Sequence, residues 1–154
     1  MSVTLEDWLR NGLLRTHHSS RQEIGELLAI ADRDLANCRT PGLDAEWRMA
    51  IAYNAALQAA TAAIAAAGYR PARGESHHWR VIQSLAHTVG ADGDTVGQFD
   101  RFRKKRNLSA YERSGAVSDQ EAEEMRSLAE RLREAVGQWI QTAHPELAPG
   151  NAKA

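Results

Sequence analysis

The chain has 154 residues, 43% apolar and 25% charged, with a formal net charge of −1. Alanine supplies 27 of the apolar residues, whereas Val and Ile together supply only 12; this favours helices over sheets, because Ala loses no side-chain entropy in a helix and strands want β-branched and aromatic residues. The charged fraction is that of a folded domain, and the near-neutral balance excludes a global field for nucleic acid or acidic lipid, so such a role must rest on a local patch.

Leu5, Trp8, Leu9 and Leu13 share one helical face, and Thr4 can cap it. Glu6, Asp7 and Arg10 interrupt any apolar leader, so no signal peptide is expected. Ser20 to Glu23 reads as a capping box for a second helix with Ile24, Leu27, Leu28 and Leu35 on one stripe. Cys38 is the sole cysteine, which fits a reducing, cytoplasmic setting and a buried apolar role. Thr40-Pro41-Gly42 stops that helix.

The third helix is expected over residues 44–67, with Gly68 as its C-cap. It holds 12 alanines. Leu43, Trp47, Ala50, Asn54, Leu57, Thr61 and Ile64 form its seam. Small side chains let neighbouring axes approach closely, so this helix should be central, with Trp8, Trp47, Trp79 and Trp139 supplying bulk. No apolar run approaches the ~20 residues needed to cross a membrane.

Residues 69–74 read as a loop. Ser76 can cap a fourth helix carrying His78, Ile82, Leu85 and Val89. Residues 90–97, rich in Gly and Asp, read as a loop, and a short helix or turn follows over residues 98–113. Ser118 to Glu121 is a second capping box, opening a last helix with Met125, Leu128, Leu132, Val136 and Trp139 on its stripe. Pro145 ends it. The expected fold is all-α: one domain over residues 1–145, an up-and-down bundle of about five helices, and a disordered tail over 146–154.

Most catalytic patterns are missing: no phosphate loop, no H-E-x-x-H, no nucleophile elbow. Asp92-Gly93-Asp94 is not a calcium loop, because its twelfth position is Arg103. His77, His78 and His87 include no i, i+4 pair, so neither a metal site nor a cofactor is expected. The densest feature is Arg101, Arg103, Lys104, Lys105 and Arg106, with Phe99, Phe102 and Tyr111 interleaved. Such cations suit phosphates and such aromatics suit bases. The same cations lie near Asp119, Glu121, Glu123 and Glu124, so pairing within the chain is the rival expectation.

The stretch Arg106-Asn107-Leu108-Ser109-Ala110-Tyr111 resembles the signature region of the HEPN superfamily, which is an Arg, a polar residue and then a His. The order of Ala52-Tyr53-Asn54, Ala67-Gly68-Tyr69-Arg70-Pro71 and His77-His78-Trp79 upstream is similar too, most like an uncharacterised actinobacterial-type subgroup. The resemblance covers roughly residues 44–140. It implies a homodimer of bundles with two motifs facing across a cleft, RNA or a nucleotide as ligand, and metal-independent RNA cleavage in active members. It assigns the phosphate-holding role to Arg106 and the orienting role to Asn107. Tyr111 stands where the family has His, and an unperturbed Tyr titrates near ~10 rather than near neutrality. The expectation is therefore a weakly catalytic or non-catalytic binding module of a toxin–antitoxin or defence system, with a nucleotidyltransferase as a plausible partner. The alternatives are an active endoribonuclease with His77 or His78 as acid or base, and a scaffold that docks an acidic partner.

Overall fold

The structure is a computed structural model describing residues 3–73, 77–109 and 117–150. Among them are six α-helices and one two-stranded antiparallel pair, an all-α bundle. The helices are α1 (Leu5–Arg10), α2 (Arg21–Asn37), α3 (Ala45–Ala66), α4 (His77–Ser84), α5 (Gly93–Ser109) and α6 (Asp119–Ala143). The strands are β1 (Leu14–Thr16) and β2 (Tyr69–Pro71), and a 3-10 turn at Pro145–Leu147 follows α6.

Helix α3 is the axis of the fold. It packs most extensively on α6 and α2 and also meets α4, α5 and β2. Ala52, Ala55, Ala56, Ala59, Ala60, Ala62 and Ala63 are all fully buried, which is how one helix can be contacted from several sides. Asn54 donates to Asp34 and Ser19 to the Ala65 carbonyl, so α2 runs antiparallel to α3. Arg133 reaches Asp32 and Arg21 reaches the Glu146 carbonyl, so α2 is antiparallel to α6 as well. Thus α3 and α6 run in the same direction, and the segment through α4 and α5 carries the chain back.

Of the tryptophans expected to supply the missing bulk, Trp139 packs half-buried against the core, whereas Trp47 does not. Trp47 is 62% exposed, and of the expected seam only Leu57 and Ile64 are buried; the core-facing positions at the start of α3 are instead Ala45, Met49, Ala52 and Ala56. The bulk comes from Tyr53, Ile24, Met49, Phe99, Met125 and Leu128, all essentially buried. By length and composition Ala45–Ala66 is apolar enough to cross a membrane, against the expectation that no stretch comes close; 72% of its apolar window is buried within the fold, as in a core helix.

Three local expectations need correction. Helix α1 ends at Arg10, and Gly12 at φ +79 turns the chain, so Leu13 leaves the helical face. The segment after Gly68 is not plain loop. Gly68 takes φ +100, a region that only glycine enters without strain, and the reversal lays Tyr69 to Pro71 along Thr16 to Leu14. Helix α5 begins five residues earlier than expected, because the Asp92 side chain accepts from the Thr95 N–H at 2.8 Å and starts the helix despite the glycines. The Ser76 cap lies outside the described residues. Beyond α6, Leu147 and Ala148 pack against the core, while residues 151–154 are not described.

The helix starts show how closely capping chemistry was written into the chain. Ser118 and Glu121 form the reciprocal box, each side chain taking the other's backbone N–H. Ser20 caps α2, but the box does not close, because Glu23 turns to His17 Nε2 at 2.8 Å. Replacing Ser118 by Ala is expected to destabilise the fold by about 1 kcal/mol, readable as a lower urea midpoint with an unchanged denaturant slope.

Candidate functional site

The cations of α5 do not form one patch, because a helix turns ~100° per residue and distributes them. Lys105 points toward α6 and pairs with Glu121 at 3.4 Å. With Arg101, Gln98, Phe102 and Glu124 it lines a cleft of about 260 Å³. Arg103 donates to Asp100 at 2.7 Å, and Lys104 lies 3.5 Å from the same carboxylate. Arg106 extends over the ring of Tyr53, 5.1 Å from its centroid, within range of a cation–π contact. Asn107 is exposed. Tyr111 lies outside the described residues.

Pairing within the chain therefore accounts for part of the cluster. Glu121 is engaged by Lys105 and by the Ser118 N–H; that backbone bond first, and Lys105 with it, hold its carboxyl below the usual range against the opposing effect of burial. The aromatic expectation fails at Phe99 and Phe102, which are 0% and 7% exposed. Spaced three apart, they lie on the core side of α5 and leave no face for a base.

What the structure assembles instead is a polar centre around Tyr53. This residue is 1% exposed in mid-α3. Phe99 meets its ring edge-on at 5.5 Å. Its hydroxyl is 3.5 Å from His78 Nδ1, a long contact, and the two rings are tilted at 6.3 Å. His77 lies 5.9 Å from His78, ring to ring. Thus Arg106 from α5, His78 from the start of α4 and Tyr53 from α3 converge. The sequence joined His77 or His78 to Arg106 only in the endoribonuclease alternative; in the fold His78 and Arg106 both meet Tyr53, and His77 lies beside His78.

The electrostatics follow from that convergence. Burial pushes the His78 imidazole below its usual value, and His77, Arg106 and Arg103 push it the same way. His78 is therefore neutral at pH 7, able to accept a proton or hydrogen bond at one ring nitrogen. Burial also pushes the Tyr53 hydroxyl up, to about 12, although Arg106 and Arg103 oppose it. Tyr53 is thus a neutral O–H donor throughout the physiological range.

Sequence reasoning missed Tyr53 as a member of the site. Its signal was available: one bulky aromatic with a polar tip inside a helix otherwise built of alanine. It also missed Asp34, buried on α2, which accepts from Asn54 at 2.7 Å and from Arg33 at 3.1 Å. That pair fixes the register of α2 against α3. Among the described residues no group of His, Cys, Asp and Glu could hold a metal ion.

Arg103, paired with Asp100, and Arg106 bring positive charge near the neutral imidazole of His78. Against these features, no protein-family model, no curated protein and no solved structure matches the chain.

Proposed function

We propose that the protein is a cytosolic, HEPN-like binding module that takes RNA phosphates at Arg106 and Arg103, without efficient cleavage. One observation carries the reading: Arg106 and His78, distant in sequence, both meet Tyr53 at the end of α5 and the start of α4, with His77 beside His78. Guanidinium groups match phosphate oxygens in geometry and charge. Lys104 and Arg101, both exposed, add positive charge on other faces of α5. The resemblance adds a homodimer with the two motifs across a cleft, and an association with a nucleotidyltransferase in a toxin–antitoxin or defence module.

The test is fluorescence anisotropy with a labelled single-stranded oligoribonucleotide across a salt series. The wild-type chain is expected to bind with strong salt dependence. Arg106→Ala should weaken binding about tenfold and flatten the salt slope by about 0.7, the loss of one phosphate contact on a single strand. Unchanged binding in Arg106→Ala would remove the site assignment. If the protein ignores RNA while the same variant loses a protein partner, the scaffold reading replaces this one.

A second reading rests on the neutral state of His78. A neutral imidazole beside an arginine-held phosphate is placed to take the 2′-hydroxyl proton in metal-independent RNA cleavage. Cleavage in EDTA that His78→Ala abolishes would establish it. Its rate should rise with pH through a value below the usual imidazole pKa and then hold level.

A further inference from the structure

A second concave surface lies at the junction of the α2 C-terminus, the 40–43 turn, the first turns of α3 and the first half of α6. The cleft has a volume of about 600 Å³, within the ~300–1,000 Å³ common for small-molecule sites. It shares no lining residue with the Tyr53 centre. Three arginines converge on it from three elements: Arg39, Arg48 and Arg126. Glu123 is the one carboxylate in its lining, and it accepts from Arg126 Nη2. Leu43 and the buried Cys38 give it apolar wall; burial pushes the Cys38 thiol up, more than Arg126 and Arg39 lower it, so it stays neutral.

The guanidinium groups are held in place before any ligand arrives. Glu130 accepts from both Arg126 and Arg39 and so fixes the two side by side. Burial pushes the Glu130 carboxyl up, yet the bonds from Arg126 and Arg39 outweigh it and keep it ionised well into the acid range. Arg48 donates from Nε to the Leu43 carbonyl at 3.2 Å and from Nη2 to Asp119. Its Nη1 is engaged by neither. Asp119 is 89% exposed, and an exposed pair of this kind is weak, so a multiply charged anion can displace it. A single carboxylate is satisfied by one arginine fork. Arg126 is filled on both sides, by Glu130 and by Glu123, so it supplies charge while Arg39 and Arg48 present their forks from two directions, an arrangement that suits a group with several oxygens and more than one charge.

We propose that this cleft binds the di- or polyphosphate group of a small molecule, independently of the Tyr53 site. The probe is pyrophosphate without added metal, followed by isothermal titration and thermal unfolding, with sulfate at matched ionic strength as the control. Saturable binding and a rise in Tm beyond the sulfate control are expected. Arg39→Gln and Arg48→Gln should each weaken pyrophosphate about tenfold, the loss of a charge-assisted hydrogen bond, while Arg106→Gln leaves its affinity in place. Arg39 is 61% exposed, so its variant should keep the wild-type circular dichroism and decides the matter if Arg48→Gln does not fold. No saturable binding overturns the proposal. So does binding that survives both cleft variants, or that is lost in Arg106→Gln, which would return the anion to the Tyr53 centre.

Discussion

Replacing Phe99 by Ala is expected to destabilise the protein by about 3–5 kcal/mol, the usual range for removing a buried phenylalanine ring. The ring is fully buried and meets Tyr53 edge-on at 5.5 Å, so its loss removes apolar burial together with a specific aromatic contact. The position is also where α5 is anchored to α3. Arg103 and Arg106 lie on the same face of α5, four and seven residues further on, and their placement depends on this anchor. Urea unfolding should show a lower midpoint, and RNA affinity should fall even under conditions where the variant remains folded. Phe99→Leu, which keeps much of the volume, should recover most of both. If Phe99→Ala loses stability while RNA affinity in the folded state stays whole, then α5 is not positioned through this contact and the site model is wrong at that link.

The split between scaffold and site explains what could be read from the chain directly. Alanine content placed the central helix, because burial on several sides demands small side chains, and 3-and-4 spacing placed its neighbours. The expected caps at Thr4, Ser20 and Ser118 all operate, each side chain taking a backbone N–H, and Asp44 does the same for α3 without having been singled out. Local rules failed where a long-range contact decided the matter. Thr16 pairs with Tyr69 across a turn made by Gly68, and no short-range pattern announces that pairing. Glu23 belongs to His17 rather than to its own capping box. The basic stretch could be counted but not resolved, since which cation meets Tyr53, Asp100 or Glu121 is set by the rotation of α5 against α3 and α6. Tyr53 itself was hidden among alanines. Its importance comes from what packs on it, and those residues lie 25 and 46 positions away along the chain.

Tyr53 also gives the fold a distinct alkaline weakness. Its hydroxyl is held neutral to about 12 in the folded protein, against an ordinary value of 10.0. In the unfolded chain it ionises near that ordinary value. Between these limits the unfolded state has released a proton that the folded state retains, so stability falls as pH rises. The contribution is fully present below pH ~10 and declines by roughly 1.4 kcal/mol per unit, reaching about 2–3 kcal/mol near the folded value. Burial causes the shift, and Arg106 and Arg103 limit it. Tyr53→Phe removes the titrating group while preserving the ring against Phe99, and its hydroxyl contact to His78 is long at 3.5 Å, so the variant should unfold near the wild-type midpoint at pH 7. Above pH 10 the two should separate, with Tyr53→Phe the more stable by about 2 kcal/mol at pH ~11.5. Urea unfolding of both chains across that range reads the difference directly. Parallel stability curves would mean that Tyr53 is open to water in solution, and the buried polar centre built around it would have to be abandoned.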